Sequence, residues 1–109
     1  MKITVNIYYT GTNGNARKFV SEMESSGIAD KIRQEEGNLR YDYFYSAKDE
    51  ETVLLIDSWK DQKSIDVHHQ SPMMKDIILL RDKYNLHMTV ERYHEDVDGI
   101  PDRDREFIR

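Results

Sequence analysis

The chain contains no cysteine, so disulfides, thiolate metal sites and cysteine nucleophiles are excluded by composition alone. No apolar run approaches the ~20 residues that a membrane-spanning helix needs. The first residues show no secretion-signal pattern, so the expected setting is the cytoplasm. There is also no stripe of lysine and arginine. The net charge is −5, and residues 95–109 hold six acids against three bases, leaving the rest nearly balanced. Binding to a phosphate backbone depends on a basic face, so neither nucleic acid nor membrane is an expected partner. No internal repeat or low-complexity segment interrupts the sequence.

What is present is a single domain's worth of chain, 109 residues, with 38% apolar and 34% charged side chains. A monomer of this size buries roughly two-thirds of the surface its unfolded chain exposes, which supports a thin core under a polar exterior.

Periodicity divides the chain. Ile3, Val5, Ile7 and Tyr9 alternate with Thr4, Asn6 and Tyr8, the period-two signature of a strand over 2–9. A turn cluster, 10–15, follows, with Asn13 or Asn15 suited to cap a helix. Ala16, Phe19, Val20 and Met23 then recur at helical spacing. Ile28 and Ile32 continue one residue out of phase, which predicts a break at Ser25-Ser26-Gly27. Gly37 suits the left-handed position after the helix. The segment 38–46 reads as a strand with Leu39, Tyr41, Tyr43 and Tyr45 on one face. Beyond a charged turn, 52–60 is a strand with Val53, Leu55, Asp57 and Trp59 on one face and Leu54, Ile56 and Ser58 on the other. Asp61 caps a short helix to Gln70. Ser71-Pro72 opens another, bearing Met73, Ile77, Leu80 and Tyr84 and ending near Asn85. The last strand is 86–94, with Leu86, Met88 and Val90 inward.

The order is β-α-β-β-α-β, which predicts a ferredoxin-like α+β fold with a four-stranded antiparallel sheet and helices on one face. The first and third strands are apolar on both faces, so a monomer would leave an apolar face in water. A homodimer packed sheet against sheet removes that exposure. Residues 1–94 form the expected domain. Residues 95–109 form an acidic tail, either disordered or an arm that docks Phe107-Ile108 onto a partner.

Several residues could carry chemistry. Asn6, on a central strand and opposite Ile3, Val5 and Ile7, is a buried amide that needs partners. Trp59, the single tryptophan, is a large core residue with one N–H to donate. His68 and His69 follow Ile65 by three and four residues, so at least one shares its face. Neighbouring helical side chains diverge by about 100°, so the pair does not readily share a metal, and no metal site is expected. Tyr8, Tyr41, Tyr43 and Tyr45 belong to packing or to an aromatic ligand. Met73, Met74, Ile77 and Ile78 form a pliable pocket wall or plain core.

Glu36-Gly37-Asn38-Leu39-Arg40-Tyr41, Trp59 and His68-His69-Gln70-Ser71-Pro72-Met73, in this order on this frame, resemble the antibiotic biosynthesis monooxygenase family over roughly residues 1–94. The resemblance implies a dimeric α/β barrel with a pocket between sheet and helices in each monomer. It implies an oxygenase that needs no cofactor, since an electron-rich phenol or quinol loses a proton and passes electrons to O2. Asn6, Trp59 and His68 are then the expected catalytic residues, and Tyr8, His69, Met73 and Ile77 the expected substrate contacts. His68 matches the family's H-x-x-S-P element and is a candidate base. Two other readings carry different expectations: a non-catalytic dimer that binds a small ligand, and a haem-binding or haem-degrading protein. The last is weakened by Ile78, which stands where the haem-degrading branch places its axial histidine.

Overall fold

A computed structural model describes residues 1–109. The elements are β1 (Ile3–Thr10), α1 (Asn15–Ser25), α2 (Ile28–Arg33), β2 (Asn38–Tyr45), β3 (Thr52–Trp59), α3 (Gln62–His69), α4 (Met73–Lys83), β4 (His87–His94) and a single turn, α5 (Asp102–Arg105). The strands form one antiparallel sheet in the order β2-β3-β1-β4. This is the ferredoxin-like α+β arrangement expected from the periodicity.

Register converts the sheet into rows of side chains, because directly paired residues share a face. On the face that meets the helices, one row reads Tyr41, Asp57, Val5, Arg92, and the next Tyr43, Leu55, Ile7, Val90. A third reads Tyr45, Val53, Tyr9, Met88. Phe19, Val20 and Met23 of α1, Ala29 and Ile32 of α2, and Ile65, Ile77 and Leu80 of α3 and α4 close over this face to form the core. Phe19 lies between Tyr9 and Tyr43, with ring centroids at 4.9 and 6.4 Å. Truncating a buried aromatic of this kind typically costs about 3–5 kcal/mol.

The helix break falls where the phase slip places it, at Gly27, with φ 85°. Gly37 has φ 89°, and a Cβ there would stand 2.2 Å from Ser64 Oγ. Only glycine permits both the left-handed turn and that approach of α3. Asp61 caps α3 by accepting from Ser64 N at 2.9 Å. At α1 neither expected cap operates. Gly14 holds the cap position, Asn13 takes the left-handed conformation, and the Asn15 amide donates to Tyr84 O.

Two strand details differ from expectation. A register shift between Asn38 and Arg40 leaves Leu39 unpaired and 55% exposed, off the core stripe. Met88 and Val90 do lie on the helix-facing side, but every residue of β4 is exposed because no helix closes over this edge strand.

Candidate functional site

α3 brings His68 down onto the end of β3, where its imidazole stacks on Trp59 with centroids 4.8 Å apart and planes tilted by 31°. His68 is 5% exposed and Trp59 1%. The His68 Nδ1 lies 2.7 Å from Glu35 Oε2, in the turn between α2 and β2. An ionised carboxylate only accepts, so Nδ1 carries the proton and Nε2 is left as the basic nitrogen. Burial pushes the imidazole below its ordinary pKa, while the Glu35 charge and hydrogen bond oppose that fall. The result is a neutral histidine of fixed tautomer, packed flat against an indole.

Sequence reading passed over the acid beside this pair. Asp57 lies on the same face two residues before Trp59, is 7% exposed, and its Oδ1 has no hydrogen-bond partner. Burial pushes its carboxyl up from 3.8 to about 7, with the Trp59 indole N–H opposing the rise and the Glu35 charge adding to it. The signal was available: a lone acid in an otherwise apolar stripe, Val53-Leu55-Asp57-Trp59. Buried tyrosines surround it. Tyr41 pairs with Asp57 across the strands, and its hydroxyl lies 3.3 Å from that of Tyr43. Burial raises both phenols, and raises Tyr9 to about 12. All three therefore stay protonated at neutral pH and present hydroxyls, not charges.

The expected site residues divide between the two faces. Asn6 pairs with Ile56, and Tyr8 with Leu54, on the face opposite Trp59 and His68. Strand alternation thus prevents one ligand from touching Asn6 or Tyr8 together with Trp59 and His68. The Asn6 Oδ1 is buried without a partner. Tyr8 lines a shallow cavity of about 220 Å³ with Phe44, Tyr45 and Leu54. Ile77 is buried in the core, Met73 packs partly against it, and His69 is exposed with its ring centroid 5.8 Å from that of His68. No cluster of three or more metal-ligating side chains forms.

On the helix-facing side the sheet is left open between β4 and the α3–α4 pair. Two side-chain contacts span the gap: Arg92 donates to Gln62 of α3, and Arg81 of α4 reaches Met88 Sδ at 2.8 Å. Between them Val5 and Ile7 are half-buried and Val90 is 53% exposed. This partly covered apolar strip adjoins the row that holds the acid, since Val5 is the strand neighbour of Asp57.

A four-stranded antiparallel sheet with its helices on one face, and a buried acid, histidine and indole packed where they meet, is a ferredoxin-like α+β domain. Residues 2–78 match the model of the antibiotic biosynthesis monooxygenase family, and the chain belongs to that family. It is 33% identical over 54 residues to "Putative monooxygenase YcnE" of Bacillus subtilis (strain 168), a stretch covering 50% of this chain. The matched segment spans 55% of that relative's length. A conserved protein from Methanosarcina mazei Go1 superposes with a TM-score of 0.76 at 21% identity, over 88% of this chain and 94% of that one. SnoaB, a cofactor-independent oxygenase from Streptomyces nogalater, gives 0.72 at 12% identity over 87% and 93%. At these identities the two structures speak to the fold.

Proposed function

We propose that this protein is a monooxygenase that oxidises a small phenolic or quinol-like substrate with O2, using neither metal nor flavin, and works as a homodimer. The observation that carries the reading is the buried Trp59–His68 stack with Glu35 on the imidazole, near the partly covered apolar strip Val5, Ile7 and Val90. Such a reaction needs an apolar surface for a flat ring, a group to take a proton and a donor for the developing oxyanion. Val5, Ile7 and Val90 offer the surface, and Met73 is the pliable neighbour. His68 Nε2 is a base held by Glu35. The substrate supplies the electrons: its anion passes them to O2, one oxygen atom enters the product and the other leaves as water. Family membership and the fold shared with SnoaB support this chemistry.

Oxygen uptake by the purified protein, measured with an electrode across quinols, catechols and anthrones, tests it. Uptake should saturate with one of these classes and fall at least about tenfold in His68→Ala, the loss of one positioned proton-transfer group. A second reading, a dimer that binds such compounds without turnover, is favoured by one feature. Trp59 and His68 are closed to solvent, and the cavities of about 300, 220 and 260 Å³ have other linings. Stoichiometric binding with no uptake from any class would decide for it.

A further inference from the structure

His68 and Trp59 are 5% and 1% exposed, so a ligand meets the imidazole only if something above it moves. The helices over this end of the sheet are held unequally on their two sides. On the β2 side α3 is closely seated: Ser64 fills the space over Gly37, and His68 Nδ1 lies 2.7 Å from Glu35 Oε2. α4 is tied to α1, where Lys83 Nζ and the Tyr84 hydroxyl both donate to Glu22 Oε1, at 2.8 and 2.6 Å. The β4 side has no such seam. All of β4 is exposed, and two side-chain hydrogen bonds are its only ones to the helices, Arg81 to Met88 and Arg92 to Gln62. The first lies by the joint where α4 runs through Asn85 and Leu86 into β4. The second lies at the free end, two residues along the strands from the row of Ile3 and Trp59. A hydrogen bond between exposed side chains is exchanged for bonds to water when it parts, so its net hold is modest.

We propose that α3 is a flap, hinged along its Gly37 seam and latched to the edge strand by Arg92–Gln62, which lifts on the β4 side to admit a flat apolar ring. When the latch parts, α3 tilts about the seam, Ile3 and Val5 are uncovered from the edge, and His68 Nε2 is reached while Nδ1 stays on Glu35. The contact that fixes the tautomer is on the hinge side, and the way in is on the other. Closure over the ring then excludes water from the reacting atoms, the usual work of a lid. The inference rests on the reading of His68 as the working base, but its test uses neither substrate nor O2.

The probe is diethyl pyrocarbonate, which acylates an unprotonated imidazole nitrogen, with exposed His69, His87 and His94 as internal standards beside His68. The chain has no cysteine, so Gln62→Cys/Arg92→Cys carries a single thiol pair. A short, reducible bis-thiosulfonate linker bridges the span of the two replaced side chains. Tandem mass mapping of the full chain should show the bridge slowing modification of His68 at least about tenfold, as closing a local opening does. Reduction should restore the rate, and the exposed histidines should react alike in both forms. In Arg92→Ala, His68 should react several-fold faster than in wild type. Both rates should stay flat in low urea, because a tilting flap exposes little surface, whereas reaction through global unfolding climbs with the full denaturant slope. The flap is overturned by equal His68 rates with and without the bridge, by an Arg92→Ala variant that reacts as wild type, or by a rate that climbs with the global slope. Bridge-sensitive modification in a protein that takes up no oxygen would sustain the flap and remove the oxygenase reading. Oxygen uptake that the bridge leaves unchanged would do the reverse.

Discussion

A carboxyl in a hydrophobic row is expensive, and Asp57 shows how expensive through the pH dependence of stability. Its pKa is 3.8 in the ordinary state and about 7 in the fold. Between these values the folded chain keeps a proton that the unfolded chain has lost, so the unfolded state binds fewer protons and stability falls as pH rises. The fall begins near pH 4, ends near pH 7 and amounts to roughly 4 kcal/mol at most. Asp57→Asn removes the charge, so urea unfolding across pH 4–8 should show a flatter profile and a variant more stable than wild type at pH 8. A variant that tracks wild type at every pH would sink the assignment. A group that costs stability where an amide would not is a mark of a functional position. Sequence reading singled out Trp59 and His68 because an indole and a histidine stand out by type, and the fold stacks the two together. It missed Asp57 because alternation alone treats an acid in an inward stripe as noise. It grouped Asn6 with them although the same alternation assigns it to the other face.

At the scale of elements, the site depends on one turn. Glu35 reaches His68 only because the chain reverses at Gly37 directly beneath α3, with Ser64 in contact. Gly27 has a similar positive φ but open space around it. Replacing Gly27 with alanine should therefore cost only the left-handed backbone penalty, about 1–2 kcal/mol. Gly37→Ala should cost that and a steric term besides, and should also displace Glu35. Comparing the two variants by thermal unfolding isolates the clash; equal losses would show that the approach of α3 is unimportant. The element order, the break at Gly27 and the cap at Asp61 were legible because each is a local preference written in consecutive residues. The bulge that expels Leu39 was not legible, since register is settled between strands. Nor was the exposure of Met88 and Val90, because which strand a helix covers is a tertiary outcome.

The whole molecule is a slab, 47 × 34 × 21 Å, one layer of helices on one sheet. Its second sheet face carries Tyr8, Phe44, Leu54, Ile56 and Tyr93 with no helix above them, and Phe44 and Tyr93 are 40% and 48% exposed. A layer architecture stabilises a sheet by covering its apolar faces, and here one face lacks a cover from its own chain. A second copy presents the same surface about a two-fold axis, so each apolar strip meets its equivalent. Ile56 is the position to test, because it sits mid-strand between Asn6 and Asp42 and takes no part in the helix-side core. Ile56→Asp places like charges across that axis while leaving Leu55 and Trp59 undisturbed. Sedimentation should give a dimer for wild type and a monomer for Ile56→Asp. The unfolding midpoint should rise with protein concentration only in the wild type, as mass action requires when folding is coupled to association. If dimers persist in the variant, association runs through another surface, and the exposed Val97, Ile100, Phe107 and Ile108 of the tail become the next apolar patch to test.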